Sequence, residues 1–328
     1  MKKHTFSLLI LAALLAGCTQ ETPVPTQPRP ADASAPMVAE ITQPTVPTLA
    51  QIPELYESPP APPVFTVLQP IASGESVQSN DNAEIDYSHT ADGYVMVRYT
   101  AETEKRLKVL VKGPSTTYSY NLPQGDWTVF PLSDGNGAYT VGVYRNISGS
   151  KYATILTASF DAQLLDEFAP FLRPNQYVNY SEATQALQTG LEVTAGLTDP
   201  LGKVEAIYHY VTTTMEYDHD KAATVKSGYL PDLDLVLSEG KGICFDYASL
   251  MAAMLRSQEV PCKLVVGYAG STYHAWISVW TEESGWIDGV IFFDGQKWQR
   301  MDPTFASGAN EETLDFIQNG TYTAKYLY

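Results

Sequence analysis

The chain has 328 residues, 44% of them hydrophobic, and sets 37 acidic against 20 basic side chains for a formal charge of −17. A surface so acidic repels a polyanion, which excludes nucleic acid as a partner. Three cysteines are too few for a disulfide framework to organise the fold.

The first residues, MKKHTFSLLILAALLAGCTQ, set Lys2 and Lys3 before an apolar run and small residues before Cys18. This is the pattern of an export signal over residues 1–17, and the run is too short to span a bilayer comfortably. The ending Leu15-Ala16-Gly17-Cys18 resembles the lipobox of bacterial lipoproteins. That resemblance implies lipidation of Cys18, a membrane partner through the lipid anchor, and a place on the extracellular face of the bacterial cytoplasmic membrane. Residues 18–64 follow as a proline-rich, disordered tether: twelve of the 22 prolines fall between 21 and 64, with few bulky apolar residues. Such a segment builds no core, and an extended chain of this length reaches on the order of 100 Å.

About 265 residues remain, enough for two ordinary domains. Residues 65–165 carry short alternating runs, among them YVMVRYT, RLKVLVK, TTYSYNL and AYTVGVYRN, broken by Gly-Pro and Asp-Gly-Asn-Gly turns. The pattern predicts an all-β immunoglobulin-like sandwich, with its tyrosines and Trp127 as core rather than as a binding face. In residues 166–328 the period changes. SEATQALQTGLEVTAG and DPLGKVEAIYHYVTTTMEY read as helices capped by Ser181 and Asp199, with Pro200 in the first turn and Val204, Ile207, Tyr208 and Val211 on one face. A charged loop, DHDKAATVKSGYLPDLDLVLSEGKG, leads to a helix over residues 244–257. The strands KLVVGY, YHAWISVW and KWQRMDPTF follow. Helices followed by antiparallel strands define an α+β domain.

Cys244 stands where that last helix begins, and unpaired N–H groups with the positive end of the helix dipole favour a thiolate there. Gly242 allows the loop a tight entry into the helix and a substrate a close approach to the backbone. A catalytic thiolate needs a positioned base, and the base needs an orienting acceptor. His274 in YHAWISVW shares a strand face with Trp276 and Ser278, and Asp302 in QRMDPTF ends a strand expected to be its neighbour. His4 leaves with the signal, His89 lies in the β-rich part, His209 reads as half-buried in a helix and His219 sits in the charged loop. Taken singly, Cys244 as a small core residue, His274 as a strand histidine and Asp302 as a turn cap are each reasonable; the three in this order favour chemistry.

The motifs GICFDYASLMAAMLRSQEVPCKLVVGY, YHAW and MDPTF resemble the core of the transglutaminase-like superfamily, a branch of the papain-like fold, over about residues 204–305. The resemblance implies Cys244 as nucleophile, His274 as acid/base and Asp302 as the orienting carboxylate. It further implies a cysteine peptidase or acyltransferase that works on protein or peptide amides through a thioester, with no cofactor. Lipobox, tether, sandwich and core together resemble surface lipoproteins of Gram-positive bacteria. A reading from another class is a non-catalytic binding or adhesion lipoprotein that uses its sandwich. No glutamine precedes the cysteine as an oxyanion donor, and Tyr217 and Tyr229 are candidates for that role beside the Cys244 N–H.

Three further readings concern neighbours of the triad. Asp246, in the first helical turn, is expected to bond backbone N–H groups. A Cys244–Cys262 disulfide is disfavoured, because a fourteen-residue helix separates its ends by roughly 20 Å, and Cys262 is expected in the core. Asp218, His219 and Asp220, with Asp232 and Asp234, match no ion-binding template and read as a solvated loop, so no metal is assigned.

Overall fold

The computed structural model describes residues 64–288, 290–293, 298–301 and 320–328. The expected export signal, Cys18 and the tether lie outside them. Among the described residues no helix is long and apolar enough to cross a membrane.

The first part of the described chain is strand-rich. β1 (Val77–Ser79), β2 (Ala83–Asp86), β3 (Tyr94–Tyr99) and β6 (Thr128–Pro131) form one antiparallel sheet in the order β1-β2-β3-β6. β4 (Leu107–Lys112), β5 (Thr117–Asn121), β7 (Gly137–Ser148) and β8 (Lys151–Ala162) form a second in the order β5-β4-β7-β8. The period-2 pattern sorts each strand: Leu107, Val109 and Val111 of β4 and Tyr118 and Tyr120 of β5 are buried, while Lys108, Ser119 and Asn121 share the opposite face. The tyrosines are core, as the alternation implies. Trp127 is half-buried under the Arg98 guanidinium, 4.6 Å from its ring centroid.

The second part mixes helices and strands. α1 (Gln185–Val193), α2 (Pro200–Thr214), α3 (His219–Thr224) and α4 (Leu233–Glu239) lead to α5 (Cys244–Arg256). β9 (Glu216–Tyr217) and β10 (Lys241–Gly242) pair in parallel just before α5. β11 (Cys262–Ala269), β12 (Thr272–Thr281), β13 (Gly285–Asp288) and β16 (Tyr322–Leu327) make an antiparallel sheet ordered β13-β12-β11-β16, and β14 (Val290–Phe293) pairs with β15 (Trp298–Met301). From Asp246 to Arg256 every residue of α5 is buried, because the helix lies on β11 and β12 and is covered by α1, α2 and α4.

Asp199 caps α2 by accepting from the Gly202 N–H at 2.6 Å, Pro200 opens the helix, and Val204, Ile207, Tyr208 and Val211 form its buried face. Ser181 does not cap α1. The helix starts at Gln185, and the carboxylate of Asp234 reaches over from α4 to accept the Gln185 and Ala186 N–H groups. The charged loop contains two short helices, α3 and α4, each capped by its own aspartate, Asp218 and Asp232. His209 is exposed, since it falls on the side of α2 away from its apolar stripe.

Arg256 ends α5 fully buried and makes three bonds to carbonyls: Nε to Cys262, Nη1 to Arg173 and Nη2 to Tyr328, at 2.8, 2.8 and 2.6 Å. One side chain thereby joins the start of β11, the segment entering the mixed lobe and the residue after β16. The two lobes share a single hydrophobic core. Where they meet, Tyr118 and Tyr120 of β5 contact Tyr326 and Tyr328 from the other end of the chain, and Tyr177 packs on Tyr120 and Tyr328.

Burial pushes the Tyr177 hydroxyl and the Cys262 thiol up to about 12, and raises Tyr118, Tyr120, Tyr139, Tyr180 and Tyr328 as well. Above the ordinary tyrosine and cysteine values the unfolded chain gives up these protons before the folded chain does, so stability falls as pH rises from about 9 toward 12. Urea midpoints are expected to be clearly lower at about pH 11 than at about pH 8. An unchanged midpoint would mean that these hydroxyls are not shielded.

Candidate active site

The start of α5 is set by a buried carboxylate. Ile243 precedes the helix in extended conformation, and its N–H donates to Asp246 Oδ2 at 2.8 Å. The Lys221 ammonium donates to the same oxygen at 2.7 Å, and the Tyr229 hydroxyl donates to Oδ1 at 2.6 Å. Lys221 Nζ also donates to the Tyr229 oxygen at 2.6 Å. Asp246 has no exposed surface, so its charge is tolerable only because an ammonium, a phenol and a backbone N–H converge on it. It bonds a backbone N–H as expected, but it also fastens α3 and the segment after it to the helix that carries Cys244. The missing side chain of Gly242 makes room for this carboxylate rather than for a substrate: a Cβ there would lie 2.7 Å from Asp246 Cβ and 3.3 Å from Met215 Cε.

Cys244, the first residue of α5, is half-buried and opens onto a cavity of about 520 Å³. His274 lines the same cavity from β12, as do Tyr217, Tyr229, Phe245 and Tyr273. The imidazole is almost fully buried, and alternation along β12 puts it beside Trp276, with ring centroids 6.2 Å apart and planes 23° from parallel. Tyr322 of β16 packs against both rings. Ser278, next on that face, donates to Asp288 Oδ1 at 2.9 Å. Gly267 lies opposite His274 in the β11–β12 register, and a Cβ there would run into the Thr323 carbonyl and the Trp276 ring. Because residue 267 has no side chain, β11 can sit close against β16 and the Trp276 ring of the histidine strand can lie across it.

Asp302 lies outside the described residues. The strand before it, β15, pairs with β14, whereas the hydrogen-bonded neighbours of β12 among the described residues are β11 and β13. Of the two candidate oxyanion donors, Tyr229 already donates its one proton to Asp246. Burial first, and then that carboxylate, raise its pKa and keep the proton in place. Tyr217 has a raised pKa too, from burial and then from the Cys244 sulfur, which places it within electrostatic reach of that sulfur.

Cys262 is fully buried at the start of β11, and both it and Cys244 are free. In the acidic loop, Asp218, Asp232 and Asp234 each accept backbone N–H groups at helix starts. Sequence reasoning missed the Lys221–Asp246–Tyr229 cluster, although an aspartate two residues after a cysteine at a helix start was a visible signal for half of it. It also missed the contribution of β4 and β5 to the cavity wall, for which no local signal exists.

Residues 187–303 match the model of the Transglutaminase-like superfamily. The match, about a third of the chain, takes in the mixed helix and strand core described above. A stretch of 68 residues is 31% identical to a protein-glutamine gamma-glutamyltransferase of Pseudomonas aeruginosa; the alignment takes in 16% of this chain and 10% of that protein. The fold of this chain pairs 72% of its length with 83% of a candidate cysteine protease from Cytophaga hutchinsonii, at 16% identity and a TM-score of 0.33. It pairs 70% with 56% of the red sea bream transglutaminase, at 11% identity and a TM-score of 0.30.

Replacing Asp246 by alanine is expected to cost about 3 to 5 kcal/mol in urea unfolding, because Lys221 and the Ile243 N–H lose their acceptor in a buried place. A variant as stable as the parent would show that the carboxylate does not hold the helix start. Iodoacetamide is expected to modify Cys244 in the native protein and to reach Cys262 only after denaturation, as read by peptide mass mapping. Early modification of Cys262 would contradict its burial.

Proposed function

We propose that the protein is a cysteine-dependent acyl transferase or hydrolase acting on protein or peptide amides. The observation that supports this most directly is that Cys244 at a helix N-terminus and the buried His274 line one cavity inside a transglutaminase-like domain. In this reading the Cys244 sulfur attacks the carbonyl carbon of a carboxamide or peptide bond, the C–N bond breaks, and His274 gives its proton to the departing amine. A thioester on Cys244 remains. Water then releases an acid, or an amine such as a lysine side chain takes the acyl group and forms a new amide. Asp302 is assigned the ring N–H of His274 that does not face the sulfur, on the basis of its motif. The Cys244 N–H serves the oxyanion, with Tyr217 as the second donor in preference to Tyr229, whose proton is engaged.

The strand order β2-β3-β6 facing β5-β4-β7-β8 supports an immunoglobulin-like reading of the strand-rich lobe. The lipobox-like run ending in Cys18 and the proline-rich stretch after it support a lipid-anchored enzyme that works away from the membrane at the cell surface.

Incubation with casein and a fluorescent amine separates the outcomes: label incorporation means transfer, and new amino termini or ammonia without label mean hydrolysis. Cys244→Ala and His274→Ala are each expected to lower either activity by on the order of a thousandfold. An acid quench of the parent enzyme should leave the acyl group on Cys244, readable by mass spectrometry. Activity that survives Cys244→Ala would overturn the proposal.

A further inference from the structure

We infer that the strand-rich lobe forms part of the substrate cleft and that the cleft favours substrates carrying a carboxylate near the reacting carbonyl. This rests on the function proposed above. The cavity that holds Cys244 and His274 is also lined by Lys108 of β4 and by Ser119 and Asn121 of β5. These three residues are the outward face of two paired strands, with Lys108 directly opposite Asn121 in the register. The segment after α3 closes onto them: Gly228 comes so near that a Cβ would collide with the Asn121 side-chain nitrogen. At its φ of 95°, a side chain is disfavoured in any case.

The charge of this wall runs against the charge of the chain. The protein carries 37 carboxylates against 20 basic side chains, yet none of the described residues lining the cavity is an aspartate or glutamate. Its lysines are Lys108 and Lys226. Lys108 donates to the neutral Asn121 Oδ1 at 3.1 Å, and among the described residues neither lysine has a carboxylate partner. Lys221, close by, is neutralised by Asp246. Two uncompensated ammonium groups on the wall of one concave site attract an anion and repel a cation. A peptide that reaches from the nucleophile toward β5 with an acidic side chain or a terminal carboxylate meets them. Because both lysines are partly solvated, the preference is of modest size and falls with salt.

The test offers the full enzyme a tryptic digest of casein with a fluorescent amine present, before and after methyl esterification of the peptide carboxylates, and reads reacted sites by mass spectrometry. Native peptides are expected to react about five- to tenfold faster than esterified ones at low salt, with the ratio shrinking toward one at about 0.5 M salt. In the Lys108→Gln, Lys226→Gln double variant the low-salt ratio is expected to approach one. The single variants, each changing one lysine on a partly solvated wall, report the same ratio if the double variant fails to fold. Equal rates for native and esterified peptides in the parent enzyme overturn this inference and leave the proposed function standing. Reaction with neither set, with no acyl group found on Cys244, overturns both.

Discussion

A carboxylate without solvent contact is the constraint around which the candidate site is arranged. Asp246 sits inside the first turn of α5, and its two oxygens are filled by the Ile243 N–H, the Lys221 ammonium and the Tyr229 hydroxyl. Burial of an ion costs several kcal/mol unless partners surround it, so these groups are held where they are by the charge they neutralise. Lys221 lies in α3 and Tyr229 in the segment after it. The segment that walls the cavity is therefore fixed to the same turn that begins with Cys244. Cys244 and the wall move together because one anion binds both.

The second constraint is aromatic. Tyr118 and Tyr120 from β5 meet Tyr177, Tyr326 and Tyr328, so residues from the middle, the lobe junction and the far end of the chain pack into one cluster. Arg256 reinforces the junction by bonding the Arg173 and Tyr328 carbonyls with one guanidinium. Three forked donors to three backbone acceptors suit arginine and no other side chain. The outward face of β5 is thereby brought to the cavity, and a strand whose inward face is core becomes on its other side a wall of the cleft.

How much of this could be read from residues alone depended on the range of the interaction. The helix carrying Cys244, the cap at Asp199, the buried stripe of α2 and the shared face of His274 and Trp276 follow from spacings of two to four residues, and the structure reproduces them. The helices α3 and α4, six and seven residues long, are shorter than the window over which helical periodicity emerges. Their capping aspartates and the left-handed Gly240 were the available signals. The displaced start of α1 depends on Asp234, and the cavity wall on Asn121 meeting Gly228. Contacts between residues so distant in sequence leave no periodic trace.

The two described cysteines show why position rather than residue type decides the chemistry. Cys244 begins α5, half-buried, where the first N–H groups of the helix are unpaired and a cavity gives access to the sulfur. Cys262 lies just beyond the other end of the same helix, fully buried, and its thiol is pushed up to about 12 because the thiolate would be desolvated. The Arg256 guanidinium beside it acts in the opposite sense, but its N–H groups are taken by the Cys262, Arg173 and Tyr328 carbonyls, and desolvation is the larger effect. With no disulfide joining them, the same helix has one thiol at its amide end, open to a cavity, and the other just beyond its carbonyl end, sealed in the core.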